Sequence, residues 1–158
     1  MYNGKQHGDR QAMEIGTTRF GTIQISVADR VCFPAGLPGF EDCRDWVLLV
    51  ERPDAKVGWL QSADWSEVAL PVGSPRKFVP DYDIRIEPHD LRPLGLESPK
   101  DLQIVAILGQ LSGDLTMNLK APVAINMRRR LGRQVVHVDD WSIHQVVLQR
   151  TAQLRKIA

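Results

Sequence analysis

Apolar and polar residues alternate with period two over much of this chain, the pattern of strands with one buried face. In "TIQISV" Ile23, Ile25 and Val27 share one side, while Thr22, Gln24 and Ser26 take the other. In "YDIRIE" Tyr82, Ile84 and Ile86 face one way and Asp83, Arg85 and Glu87 the opposite way. Short apolar runs continue the series: "WVLLVE" (46–51), "VGWLQS" (57–62), "VALPV" (68–72), "LQIVAILG" (102–109), "LTMNL" (115–119), "PVAIN" (122–126), "QVVHV" (134–138) and "HQVVLQ" (144–149). Pro71 has no N–H to give a ladder, so "VALPV" reads as an edge or bulged strand. Turn signals such as "RPDAK", "GSPRK", "LSGD", "RRLGR" and "VDDWS" separate nearly every pair.

Helical signal is scarce. One or two short helical turns fit near Asp90–Leu94, with Pro93 and Pro99 limiting their length. The prediction is an all-β fold, a small antiparallel β-barrel-like domain of about ten short strands. Closure is favoured because an open antiparallel sheet leaves sticky edges. Residues 1–18 carry no apolar period and read as a flexible arm, 19–150 as the domain, and 151–158 as a C-terminal tail.

Composition fits this picture. The 158 residues suit one domain, with 43% hydrophobic and 25% charged residues. Twenty Lys and Arg against 19 Asp and Glu give a net charge of +1, unlike the basic balance of a dedicated nucleic-acid binder. The N-terminal run is polar and lacks the apolar stretch of a signal peptide. No apolar run approaches the ~18 residues of a membrane span. The expected compartment is the cytoplasm, with Cys32 and Cys43 as reduced thiols.

Candidate chemistry is thin. No nucleophile elbow, P-loop or dinucleotide fingerprint is present. His137, Asp139, Asp140 and His144 form a loose polar group that admits a metal reading, or simply a solvated hairpin with Asp140 as turn former. The run "MRRRLGR" (127–133) places four arginines on a predicted hairpin tip with Gly132 at the bend. Arg128, Arg129, Arg130 and Arg133 could meet phosphates or an acidic partner, or simply keep a hairpin soluble. No stacking aromatic lies among them, as nucleic-acid surfaces usually require. Gln61, Tyr82 and Asn118 can each hydrogen-bond a peptide backbone, either a partner's or this chain's own.

The stretch "FPAGLPGFE" (33–41) holds two prolines and two glycines in nine residues. Pro34 and Pro38 fix φ, while Gly36 and Gly39 permit positive φ. A stiff double turn follows, with Phe33 and Phe40 as anchors in the core. Its expected role is architectural.

In order, "FPAGLPGFE", "WLQSAD", "FVPDYDIRI", "TMNLKAPVAIN" and "RQVV" resemble the FliW family of flagellar assembly factors, over roughly residues 23–148. "WSIHQVVL" in the last strand and the triple arginine depart from the family's usual pattern. The resemblance implies a small β-barrel-like domain and a non-enzymatic, cytoplasmic, monomeric binding protein. It implies no cofactor, no metal, no membrane and no direct nucleic-acid contact. The implied partners are flagellin and the translational regulator CsrA, whose repression of flagellin mRNA the protein would relieve. Carried over onto the matching motifs, the implied contact residues are Gln61, Ser62, Asp81, Tyr82, Asn118 and Lys120. Two other readings stay open beside it: a nucleic-acid-binding barrel using the Arg128–Arg133 hairpin, and an enzyme using His137, Asp139 and His144.

Overall fold

Leu102 to Leu111 carries an apolar run at its centre and forms the longest strand, and the barrel is organised around it. The computed structural model describes residues 11–149. Their strands are β1 (Ala12–Thr17), β2 (Gly21–Ser26), β3 (Arg30–Cys32), β4 (Asp45–Leu49), β5 (Val57–Ser62), β6 (Ala69–Gly73), β7 (Leu102–Leu111), β8 (Asp114–Met117), β9 (Val123–Asn126), β10 (Leu131–Gln134) and β11 (Gln145–Leu148). Seven of them close a ring in the order β7, β6, β5, β4, β3, β10, β9 and back to β7. All neighbours run antiparallel except β3 and β10, which meet in parallel through the single pair Leu131–Cys32. Among the described residues no helix is long and apolar enough to cross a membrane.

A ten-residue strand spans about 33 Å, long enough to serve two partners on one edge. The first half of β7 pairs with β9, Leu102–Val105 against Asn126–Val123. Its second half pairs with β8, Leu108–Leu111 against Met117–Asp114. "LTMNLKAPVAIN" is therefore one return strand interrupted at residues 118–122, which bulge out opposite Ala106 and Ile107. Beyond the barrel, β11 extends the sheet from β8, and the β1–β2 hairpin packs Ile15 and Ile25 on Val47.

The barrel interior is filled by Val31, Phe33, Leu37, Cys43, Trp46, Leu60, Val72, Val105, Val123 and Ile125. "FPAGLPGFE" plugs one end of it. Phe33 and Phe40 both meet the Trp46 ring edge-on, with centroids 6.3 and 6.2 Å away. Leu37-Pro38-Gly39-Phe40 is a turn closed by Phe40 N–H to Leu37 O at 2.7 Å, with Gly39 at φ +86°. Proline second and a positive-φ glycine third is the type II arrangement. The expected double turn and its two aromatic anchors are present. A second core joins Tyr82, Ala106, Leu108, Met117 and Leu119. A third puts Leu94 against Ala124 and Val135 on the outer face of β9 and β10. With Val123 and Ile125 turned inward, β9 is buried on both faces, which explains its continuous apolar run.

Several elements differ from the sequence reading. Pro71 lies inside the sheet, between β5 and β7. Ser62 N–H donates to Val68 O, and hydrogen-bonded pairs recur every second residue, so Trp59–Pro71 is a pair that exchanges none. On its other side β6 meets β7 only at Val72 and Gly73, so the missing N–H breaks no ladder bond. "YDIRIE" is not a strand. It makes one isolated bridge, Ile86–His137, because its alternation reports a buried side rather than a paired edge. "GSPRK" carries a short helix, α1 (Pro75–Phe78), and α2 (Pro88–Leu91) is followed by 3-10 turns at Arg92–Leu94 and Pro99–Asp101, more helical turns than expected. Residues Ala12–Thr17, within the stretch read as an arm, form β1, whose apolar side has only Met13 and Ile15 to signal it. The rest of that arm, residues 1–10, and the tail 151–158 lie outside the described residues.

Gly132 lies not at the hairpin bend but inside β10. The bend falls at Met127–Arg130, where Arg130 takes φ +55°. A methyl group on Gly132 would come within 2.3 Å of Phe33 Cζ, so the glycine is the bed on which the Phe33 ring lies.

Gly132→Ala is expected to lose about 1–3 kcal/mol, the usual cost of overpacking a tight core. Gly16→Ala, whose new methyl meets nothing within 4 Å, should leave the unfolding midpoint nearly unchanged. Equal midpoints for the two variants in urea would contradict this packing. Burial pushes the Tyr82 phenol up to about 12. The unfolded phenol ionises near 10, so stability should be full below that pH and fall as pH rises from about 10 to 12. Tyr82 should titrate late in tyrosinate absorbance, and Tyr82→Phe should abolish that late phase.

Candidate functional site: the barrel seam and its braced turns

The ring closes at its weakest point between β3 and β10. Cys32 N–H donates across this seam to Arg130 O at 2.9 Å. The next donor in a parallel ladder is two residues on, and that residue is Pro34, which has no N–H. The ladder stops there and the strands part. The outer surface of the plug then forms one wall of a groove, with Ala35, Gly36, Pro38 and Glu41 facing Arg133–Val136 and with Asn118 and Ala121 completing it. Its volume is about 550 Å³. Gly39 N–H lies 3.0 Å from Glu41 Oε1 and holds that carboxyl below its usual range.

Next to the groove, residues 118–122 are fixed by a compact polar network. Asn118 Oδ1 accepts from Ala121 N–H at 2.9 Å, closing the turn. The Tyr82 hydroxyl donates to Leu119 O at 2.8 Å. Lys120 Nζ donates to His137 O at 2.9 Å and Asp139 O at 2.8 Å, while His137 N–H donates back to Lys120 O. His137 is 1% exposed, and its Nδ1 accepts from Asp139 N–H at 2.9 Å. Nε2 lies 2.6 Å from Asp83 O and 3.2 Å from the Arg85 backbone nitrogen. Both ring nitrogens face backbone groups. His144 does not join them, since it lies exposed at the start of β11 with its N–H on Ser142 Oγ. Asp139 instead pairs with Arg85 at 3.0 Å.

The six residues implied by the motifs fall in two places. Tyr82, Asn118 and Lys120 meet at the turn of residues 118–122, with Asp81 exposed at the turn before Tyr82. Gln61 and Ser62 sit apart, at the end of β5, and are 0% and 1% exposed. Gln61 Nε2 donates to Ser66 O at 3.3 Å and Val68 O at 3.1 Å. Ser62 Oγ accepts from Asp64 and Trp65 N–H at 3.1 and 2.9 Å. Together they hold the turn that carries the exposed Trp65. Gln61, Ser62 and Tyr82 thus brace the surface from beneath, and Asp81, Asn118 and Lys120 reach it.

Sequence reading missed Asn126. It is buried at the end of β9, where its Nδ2 donates to Leu94 O and its Oδ1 accepts from Arg128 and Arg129 N–H. Asparagine before a turn was the available signal. The arginines themselves diverge. Arg128 pairs with Glu97 at 2.6 Å, and the Arg129 guanidinium lies over Gly95. Arg133 lines the seam groove and has no hydrogen-bond or ion-pair partner among the described residues.

Comparison with known proteins agrees with this architecture. The family described as FliW protein matches residues 14–147. The chain is 32% identical over 141 residues to the flagellar assembly factor FliW of Thermoanaerobacter pseudethanolicus, covering 87% of this chain and 94% of that protein. It is 36% identical over 131 residues to the flagellar assembly factor FliW of Bdellovibrio bacteriovorus, covering 81% and 74%. A crystal structure of the flagellar assembly factor FliW superposes with a TM-score of 0.79 at 30% identity, over 87% of this chain and 98% of that one. The match spans the barrel, the plug and the braced turns together, and the chain belongs to the FliW family of flagellar assembly factors.

Proposed function

We propose that this chain is a non-enzymatic, cytoplasmic partner switch that binds flagellin and the translational regulator CsrA. Family membership over residues 14–147 carries the reading. When flagellin is scarce the protein holds CsrA and relieves its repression of flagellin mRNA. When unexported flagellin accumulates it occupies the protein, and freed CsrA stops translation. The chain would bind as a monomer, without cofactor and without touching nucleic acid. The pairing of Arg128 with Glu97 weighs against the nucleic-acid reading, since it engages one of the four arginines that reading needs.

A rigid barrel favours overlapping client surfaces over two coupled ones. Coupled sites need a bistable element able to transmit about 1–3 kcal/mol, whereas the turns beside the seam are each pinned by several hydrogen bonds. Pre-ordered turns also lower the entropy lost on binding. Asp81, Asn118 and Lys120 are proposed as contacts, with Tyr82 holding their turn in place and Gln61 and Ser62 holding the separate turn that carries Trp65.

Isothermal titration of the purified chain should show saturable binding of flagellin and of CsrA, with each reducing the other's binding. Asp81→Ala, at an exposed position, should weaken at least one client by about 1 kcal/mol, roughly fivefold, at an unchanged unfolding midpoint. Failure of both proteins to bind would refute the function. Full affinity in both Asp81→Ala and Asn118→Ala would refute the contact surface while leaving the function intact.

A further inference from the structure

At one end of the barrel β4 and β6 finish while β5 and β7 begin, and a cavity of about 260 Å³ opens between them. Leu48, Val72 and Val105, which pack with the barrel core, line its apolar floor. Gly58 adds no side chain to the lining, and a methyl there would meet Leu49 O at 2.8 Å. The polar side chains of the lining can all donate: Lys56 and Lys77 only donate, and Ser74 and Gln103 donate as well as accept. Among the described residues none of these four side chains has a hydrogen-bond or ion-pair partner. No Asp or Glu lines the cavity. Asp54, in the loop between β4 and β5, pairs with Arg52 at 3.5 Å.

We propose that this barrel mouth binds a small carboxylate with a short apolar tail. An apolar floor with a few convergent polar groups is the usual make-up of a small-molecule site, and barrel mouths are frequent places for one. The tail enters toward Leu48, Val72 and Val105, and the carboxylate stays at the rim between Lys56 and Lys77. Two ammonium groups in a lining that contains no carboxylate select an anion over a cation or a neutral alcohol. The cavity is small, so the tail is limited to a few carbons. This site is separate from the seam and does not depend on which proteins the seam binds.

The test is amide NMR of the intact isotope-labelled chain titrated with hexanoate, hexylammonium and hexanol. Hexanoate should shift Gly58, Val72, Lys77 and Gln103 saturably, and hexylammonium should not. The double variant Lys56→Gln/Lys77→Gln should weaken hexanoate at least tenfold, with the spectrum otherwise preserved. Gln103→Trp, which covers the mouth from an exposed rim position, should abolish the shifts. No saturable hexanoate shift, equal response to hexylammonium, or undiminished binding in the double variant would each overturn the assignment.

Discussion

The structure depends on one contact, the Phe33 ring lying flat on Gly132. A seven-stranded ring must close somewhere, and here the closing strands share one parallel residue pair. Backbone hydrogen bonds barely carry that seam, because Pro34 ends the ladder after one bridged pair. Side-chain packing does so instead. Phe33 leaves β3, crosses the seam and fills the space that β10 leaves by having no side chain at residue 132, while Trp46 holds the ring from the other side. A burial of this kind, about 1.5–3 kcal/mol for a phenylalanine, is of the size that the two bonds of one bridged pair contribute at about 1 kcal/mol each.

The same solution that closes the barrel also opens a surface. Where the ladder stops, the plug's outer wall and Arg133–Val136 separate into a groove, and the interruption of the return strand at residues 118–122 stands beside it. Those residues project as a turn, yet Tyr82, Lys120, Asn118 and His137 tie that turn to segments from three other parts of the chain. Exposed position and internal bracing together make a surface that meets a partner with little rearrangement. Trp65 is held out in the same manner by Gln61 and Ser62 on a different face.

Much of the strand plan was legible because period two is a direct consequence of burying one side of a strand. "VGWLQS" coincides residue for residue with β5. The plug was equally legible, since proline and glycine at set places in a turn restrict the backbone locally. What the sequence did not disclose was pairing. "YDIRIE" buries one side without joining a sheet, and Pro71 is tolerated centrally because the register turns its nitrogen to an unbonded place. Gly132 looked like a bend, for nothing local reveals that a ring 99 residues earlier needs the room. The polar residues Gln61, Tyr82 and Asn118 stood out as backbone binders, and the structure shows backbone of this chain as what they bind. Their partners, such as Leu119 for Tyr82 at a separation of 37 residues, are set by topology alone.

Native-state amide exchange at Cys32 tests the closed-seam account most directly. Its N–H has one partner, Arg130 O, across the seam. If Phe33 on Gly132 locks the ring as a cooperative unit, the Cys32 amide should exchange only through global unfolding, with the same free energy as Leu60 in the central sheet. Exchange of Cys32 through a local opening several kcal/mol below that of Leu60 would show the seam breathing independently, and would contradict the account.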